Sequence, residues 1–341
     1  MQAFKQRILG AALAGAVVVC APVARAATLD AYAGGVGGLT NGSIEAGCYT
    51  SGTPAELLPF FQGGAFPAGG IAACGLTGGL NHATGSSGSV TSTLSVAPVK
   101  LGIPASTAGY YTGQADAIAR YGSLGVSAQG SFLQGLPNGS PGAYASTVAA
   151  ARFTDTLTAT SAAVATGSAG FVRYAFELHG TASALGAQAP YYFGSTYVQL
   201  LYEQSVQPVQ YGWNLSLTRG STGRIQNTTP PPGWTTSTGY LSGASTFYSF
   251  DLPMVWGQSW DLTVGLIASA YGEVSADFLG TARLTGVQLF NSQHQEVTNF
   301  QLLSASGTDY LAPVPEAGTA WLLLAGLAGL AAWGRRRDAK T

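Results

Sequence analysis

Between two glycines, residues Gly170 to Gly180 read GFVRYAFELHG. Val172, Tyr174, Phe176 and Leu178 share one parity, while Arg173, Glu177 and His179 occupy the other. Successive side chains of a strand point to opposite faces, so strict period-two alternation specifies a half-buried β-strand. A helix would need an apolar stripe recurring every three to four residues, which this segment lacks. Tyr197 to Tyr202, Trp213 to Leu217, Trp260 to Ile267, Ala282 to Phe290 and Val297 to Leu303 follow the same rule. Turn clusters separate them, among them Asn138-Gly139-Ser140-Pro141-Gly142 and the stretch from Asn227 to Gly233. Many short strands without a long amphipathic helix predict an all-β chain, with a β-sandwich or jelly-roll-like domain over residues 90–312. The Ala-rich stretch Ser146 to Thr166 is expected to join it as strand, because Thr147, Val148, Phe153, Thr154, Thr156, Thr158 and Thr160 are β-branched or aromatic.

The region before it, residues 27–89, is Gly/Ser-rich and reads as loops with short edge strands. One interruption stands out. Thr53-Pro54-Ala55-Glu56 is a capping-box pattern with Pro at the first helical position, followed by Leu57, Leu58, Phe60 and Phe61. Pro59 and the Gly63-Gly64 pair hold that helix to about two turns. Cys48 and Cys74 lie in the same region and predict one disulfide in an oxidising compartment, with two free thiols as the alternative. Closing a loop of about 26 residues would stabilise by roughly 3 kcal/mol in the chain-entropy picture.

Both ends of the chain carry apolar segments. Lys5 and Arg7 precede the run from Ile8 to Ala21, and Ala24-Arg25-Ala26 follows as a small-x-small site. A basic start, a short apolar stretch and such a site are the three parts of a secretory signal peptide over residues 1–26, cleaved between Ala26 and Ala27. A retained N-terminal anchor helix is the alternative. The run falls short of the about 20 apolar residues that a spanning helix needs. Cys20 raises lipidation, but Val19 stands where a small residue would precede a lipidated cysteine. At the other end, Ala317 to Gly334 reads AGTAWLLLAGLAGLAAWG without a charge. At about 1.5 Å per residue it reaches roughly 27 Å, close to one hydrocarbon thickness. Trp321 and Trp333 sit near its ends, where amphipathic rings favour the interface, and Arg335, Arg336 and Arg337 follow. That cluster resists translocation, so it holds the C-terminus in the cytoplasm and leaves the domain outside.

Immediately before this helix stands Val314-Pro315-Glu316. The motif, the apolar helix and the Arg cluster, together spanning residues 313–337, resemble the PEP-CTERM sorting signal of exosortase substrates. The resemblance implies that a membrane protease-transpeptidase of the exosortase type reads Pro315 and Glu316 and releases or transfers the protein. Ala317 stands where that family usually has a second proline. Two inner stretches are also similar to the family, the run Ala276 to Val287 with Ser304 to Tyr310, and Ala151 to Leu157. They add no activity.

Composition and motifs narrow the function further. Charged residues make up 9% of the 341, against about 25% in ordinary soluble domains. Between the two signals seven basic side chains face thirteen carboxylates, a surplus of six acids. Without a basic patch the electrostatic footprint of a nucleic-acid binder is missing, so nucleic acid is excluded as the partner. No nucleophile elbow, zinc-helix motif, P-loop or EF-hand loop occurs, and no cofactor or metal ligand set is expected. His82, His179 and His294 are scattered, with His179 on the polar parity of its strand. Asp251 and Asp261 flank Trp256 and Trp260. A glycosidase pair is weighed there, but strand-end carboxylates and core tryptophans are the simpler reading, since spacing alone shows no convergence. Tyr110-Tyr111, Tyr191-Tyr192, Tyr211, Trp213, Trp234 and Tyr240 are expected in or beside loops, where flat rings with polar handles suit a sugar. Most are expected to serve as core or turn residues instead. The expectation is a non-enzymatic, exported surface or matrix protein with a structural or adhesive role. A lectin-like polysaccharide-binding module is the second reading, with exopolysaccharide as its partner, and an unrecognised hydrolase the third.

Overall fold

The computed structural model describes residues 27–37, 80–101, 109–132, 145–184, 194–219, 225–227, 233–237, 240–271 and 274–311. Every element among them is a strand: β1 (Thr28–Gly37), β2 (Leu80–Gly85), β3 (Ser89–Leu101), β4 (Gly109–Arg120), β5 (Ser123–Phe132), β6 (Ala145–Thr160), β7 (Ala169–Ala184) and β8 (Gly194–Gln204). There follow β9 (Gln207–Arg219), β10 (Ile225–Asn227), β11 (Trp234–Ser237), β12 (Tyr240–Tyr248), β13 (Leu252–Val255), β14 (Ser259–Tyr271), β15 (Val274–Asn291) and β16 (Gln301–Ser304). They form two eight-stranded sheets. Sheet I runs β10-β9-β8-β14-β6-β1-β2, with β16 also on β6; sheet II runs β11-β12-β7-β15-β5-β4-β3, with β13 on β7. All pairs are antiparallel. The architecture is a β-sandwich.

The parity read from β7 is the parity found. Val172, Tyr174, Phe176 and Leu178 are buried between the sheets, while Arg173, Glu177 and His179 face outward and stay partly exposed. The Ala-rich segment is strand β6 as far as Thr160, paired on both sides, whereas Ser161 to Thr166, also expected as strand, forms a turn. Two further expectations are corrected. The stretch from Leu29 onward was expected as loops and short edge strands, yet β1 is a ten-residue strand inside sheet I, between β6 and β2. Its glycines and alanines suit a place where backbones approach closely. Val297 to Leu303 is strand only from Gln301. A turn at Asn291 to Gln295 first folds the chain back, so that the Val297 N–H donates to the Leu289 carbonyl (2.8 Å). Cys48, Cys74, the Thr53 capping box, Ala24, Ala26, Val314, Pro315, Glu316, the 317–334 helix and Arg335 to Arg337 lie outside the described residues.

The sandwich is unevenly filled. Towards β1, β4, β5 and β6 the interior is lined by Ala31, Ala33, Ala115, Ala117, Ala119, Ala128, Ala149 and Ala151. The sheets approach closely there. The Thr147 hydroxyl on β6 donates to the Gln129 carbonyl on β5 (2.9 Å), and a Cβ on Gly113 of β4 would lie 2.2 Å from that hydroxyl oxygen. Towards β7, β8, β12 and β15 the filling is aromatic: Phe176 stacks on Tyr202 across the sheets (centroids 5.3 Å), and within sheet II Trp234 stacks on Phe278 (5.9 Å). Trp260 Nε1 donates to the buried Tyr174 hydroxyl (2.8 Å), joining β14 to β7.

Strands β1 and β16 occupy one lane along β6. Thr28 pairs with Thr154 and Ser304 with Leu157, so β16 ends where β1 begins. Between them, on the inner parity, sits the fully buried Asp155 carboxylate. It accepts from the Ser306 N–H (3.0 Å), the Ser306 hydroxyl and the Tyr310 hydroxyl (2.7 Å). Burial, and after it the Asp155 charge, holds the Tyr310 hydroxyl far above its ordinary pKa. The same two causes raise Tyr121.

Candidate functional site

Strand β12 and the bend after it decide what the outer face of sheet II presents. Ser249 is buried and tied to β7: its N–H donates to the Tyr174 carbonyl (2.8 Å), and its hydroxyl accepts from the Tyr174 N–H (2.8 Å). Alternation then sends its neighbours outward. Tyr248 is 61% exposed and Phe250 69% exposed, which with Leu303 makes them the three most exposed of the big apolar side chains described. Both rings are held open by a backbone that is itself fixed.

Next to them in sequence, Asp251 joins an arginine and a histidine on one carboxylate. Arg173 Nε donates to Asp251 Oδ1 (2.7 Å), and His294 Nδ1 lies 3.2 Å from Oδ2. Rings support both partners. Phe171 stacks on His294 (centroids 4.0 Å, planes 17° apart), and the Arg173 guanidinium carbon lies 4.9 Å from the Phe290 centroid. His294 has φ 58°, a left-handed conformation that costs a non-glycine residue energy unless its surroundings impose it. Here Asn291 imposes it: its Oδ1 accepts the N–H groups of Gln293 (2.9 Å) and Gln295 (3.0 Å), closing the turn that carries His294. The result is a half-exposed Arg-Asp-His group on the same outer face as the Tyr248 ring.

The residues singled out from sequence separate. Asp251 lies on the outer face of sheet II, whereas Asp261 lies on that of sheet I, where the Thr156 hydroxyl donates to it (2.7 Å). The thickness of the sandwich stands between them, so they are no glycosidase pair. Trp256 and Trp260 are core residues, 0% and 2% exposed. Trp234 is buried too, its indole donating to the Ser245 hydroxyl (2.7 Å). Tyr240 is exposed at the start of β12. Tyr110 and Tyr111 lie within β4, and Tyr211 and Trp213 within β9, rather than in loops; Tyr191 and Tyr192 lie outside the described residues. His82 sits on the outer face of sheet I, stacked on Tyr32 (3.9 Å) and 3.3 Å from Asp30, which also binds Arg152 (2.8 Å). His179 Nε2 lies 2.7 Å from Glu177, close enough for an ion pair though not aligned as a hydrogen bond. Sequence reasoning missed Tyr248 and Phe250. Their shared parity around Ser249 was the available signal.

Among the described residues no group of three or more His, Cys, Asp or Glu is placed to hold a metal ion. Chemically the site offers flat apolar rings, a guanidinium and an imidazole. These stack and donate hydrogen bonds, and none of them pairs a nucleophile with a base. No protein-family model, no curated protein and no solved structure matches the chain.

Proposed function

We propose that the protein is an exported envelope component with a structural or adhesive role at the cell surface or in the extracellular matrix. In this reading a signal helix over residues 1–26 directs export and is removed before Ala27. A PEP-CTERM-like signal then delivers the domain: Val314-Pro315-Glu316 for an exosortase-type enzyme, the 317–334 helix as transient membrane anchor, and Arg335, Arg336 and Arg337 on the cytoplasmic side. The observation that carries it is the shared lane on β6. The sandwich starts at Thr28 and ends beside the same point at Ser304, with Asp155 gripping the outgoing segment up to Tyr310. Both described ends of the body therefore emerge together. From Leu311 to Glu316 is only five residues, at most about 18 Å of extended chain, so a membrane enzyme meets the motif directly beneath the domain.

The test replaces Glu316 by Ala, which leaves the apolar helix and the arginines unchanged. In cells with an exosortase the variant should accumulate uncleaved in the inner membrane while the parent is processed. A parent that retains Arg335 to Arg337 in such cells defeats the sorting reading.

A second reading, binding of a neutral or acidic polysaccharide, is favoured by one observation: Tyr248 and Phe250 are held in solvent beside Arg173 and His294. Retention on immobilised exopolysaccharide that is lost in Tyr248→Ala and Phe250→Ala separates it from a purely structural role. Equal retention of parent and variants counts against it.

A further inference from the structure

Across the outer face of sheet II one row of side chains is almost empty. Tyr248 on β12 pairs with Ala175 on β7, and Ala175 pairs with Gly286 on β15. Their chain neighbours Phe247, Tyr174 and Val287 pack into the core, so this row faces outward. Beyond the exposed tyrosine it offers one methyl group and then none. Among the described residues, a Cβ built on Gly286 would meet one atom within 4 Å, the Ala175 Cβ at 3.5 Å. Gly286 is itself partly exposed, so the space above it is open. Thr285, the extra residue of a β-bulge, is exposed beside it, and its hydroxyl donates to the Ala175 carbonyl (3.3 Å). Bulges recur next to functional sites, where they re-aim a side chain. The two adjoining rows are tall. One holds Arg173 and Gln288, the other Thr246, Glu177 and Arg283. Along β7 they stand four residues apart, about 13 Å at the usual rise. They wall a trough that crosses β12, β7 and β15, with the Tyr248 ring at one end. Contacts of their own hold the walls: Arg173 Nε donates to Asp251 (2.7 Å), and Glu177 lies 2.7 Å from His179 Nε2. Two arginines stand against two carboxylates, so with neutral histidines the formal charge of this lining is zero.

We propose that this trough binds a single chain of a neutral polysaccharide lying across the strands. The inference rests on the polysaccharide reading above and gives it a site and a sugar class. A neutral sugar presents flat C–H faces and pairs of hydroxyls. The tyrosine ring packs against the first. Planar guanidinium, carboxylate and amide groups meet the second as donors and acceptors. A uronate chain would instead bring repeated negative charge to a lining with no net charge. Its carboxylates would confront Asp251 and Glu177 as well as the arginines. A peptide fits less well. Along the trough β7 is hydrogen-bonded on both sides, to β12 and β15, so it has no backbone groups open to an added strand. A floor made of one methyl group and a glycine is also no pocket for an apolar side chain.

Affinity electrophoresis of the full chain tests this with hydroxyethylcellulose, galactomannan and dextran as neutral probes, and alginate and polygalacturonate as acidic ones. At least one neutral glycan should retard the protein more than either acidic one. Its apparent Kd should hold steady between about 0.02 and 0.3 M salt. Gly286→Gln puts a side chain into the trough. Gly286 lies outside the left-handed region and has room for a Cβ, so the urea midpoint should stay at the parent's value. The apparent Kd should nevertheless rise about tenfold, and Tyr248→Ala, which removes an exposed ring, should do the same. If Gly286→Gln lowers the midpoint, the Tyr248→Ala result decides alone. Preference for alginate or polygalacturonate, with binding that salt weakens, overturns the neutral class. Undiminished binding by either variant at parental stability overturns the trough. Both of these results leave the polysaccharide reading standing. A parent that no glycan retards brings down that reading and this inference together.

Discussion

Replacing Asp155 by Asn changes one atom in the fully buried group that holds the outgoing segment, and its effect is calculable. The carboxylate offers two acceptor oxygens to three donors: the Ser306 N–H to Oδ1, and the Ser306 and Tyr310 hydroxyls to Oδ2. An amide has one oxygen. If that oxygen keeps the two hydroxyls, its NH₂ confronts the Ser306 N–H, and a bond to a charged acceptor worth about 1.5–3 kcal/mol is lost. The two remaining bonds fall from charge-assisted to neutral strength, about half as strong. Relief of the buried charge returns part of this. The net expectation is a loss of about 2–4 kcal/mol. For a domain of this size that lowers the melting temperature by roughly 2–4 °C per kcal/mol. Urea unfolding of the purified protein measures it. A double-mutant cycle with Tyr310→Phe then separates the bond from general disturbance, because partners in contact should couple by more than about 0.5 kcal/mol. A loss below about 1 kcal/mol, or strict additivity, would refute the idea that Asp155 fastens the C-terminal segment.

Two further outcomes follow from the structure and a third from the sequence. Burial holds the Tyr174 hydroxyl well above its ordinary pKa, against the lowering effect of the Trp260 bond, and Tyr310 is raised as well. Groups raised on folding stabilise fully below the unfolded value of about 10 and lose that contribution as pH climbs towards the folded value, so stability should decline only above about pH 10. Absorbance at 295 nm should show these phenols ionising together with unfolding, not before it; reversible titration near pH 10 with the fold intact contradicts this. In Gly180→Ala the new Cβ would lie 2.4 Å from the Phe278 ring, which is wedged against Trp234, so a loss of about 1–3 kcal/mol is expected on thermal unfolding. If Cys48 and Cys74 pair, thiol labelling without reduction should be negligible, and stoichiometric labelling excludes the bond.

What was legible in the sequence was whatever repeats locally. The β7 alternation and the β-branched residues of β6 named their strands because each residue there carries its own facing. The core positions of Trp256 and Trp260 followed from bulk alone. By contrast β1 reads TLDAYAGGVG, too poor in large side chains to announce an interior strand. It earns that place only because the alanines of β6 and β4 leave room for close backbones. Asp155 sits in a run of threonines, and its partners lie more than 150 residues away, so no window of sequence could show that it is buried. The exposed rings of Tyr248 and Phe250 depend on Ser249 being claimed by Tyr174, again a contact made by folding.

The shared lane on β6 also sets an order of events in time. During synthesis β1 emerges first, yet its neighbour β6 follows more than a hundred residues later, and the residues that fill the rest of the lane come last. The first strand must therefore wait, with β2 alone to pair with, while most of the domain is made. With no helix among the described residues to form early, and with β6 paired to β14 and β7 to β15 across about a hundred residues of chain, the topology is of the kind that folds slowly. A slow folder with open strand edges is vulnerable to self-association while it waits. The low charge of the chain offers little electrostatic protection in that interval. Such a chain depends on being folded away from its own copies, and the yield of native protein should fall steeply as the rate of its synthesis rises.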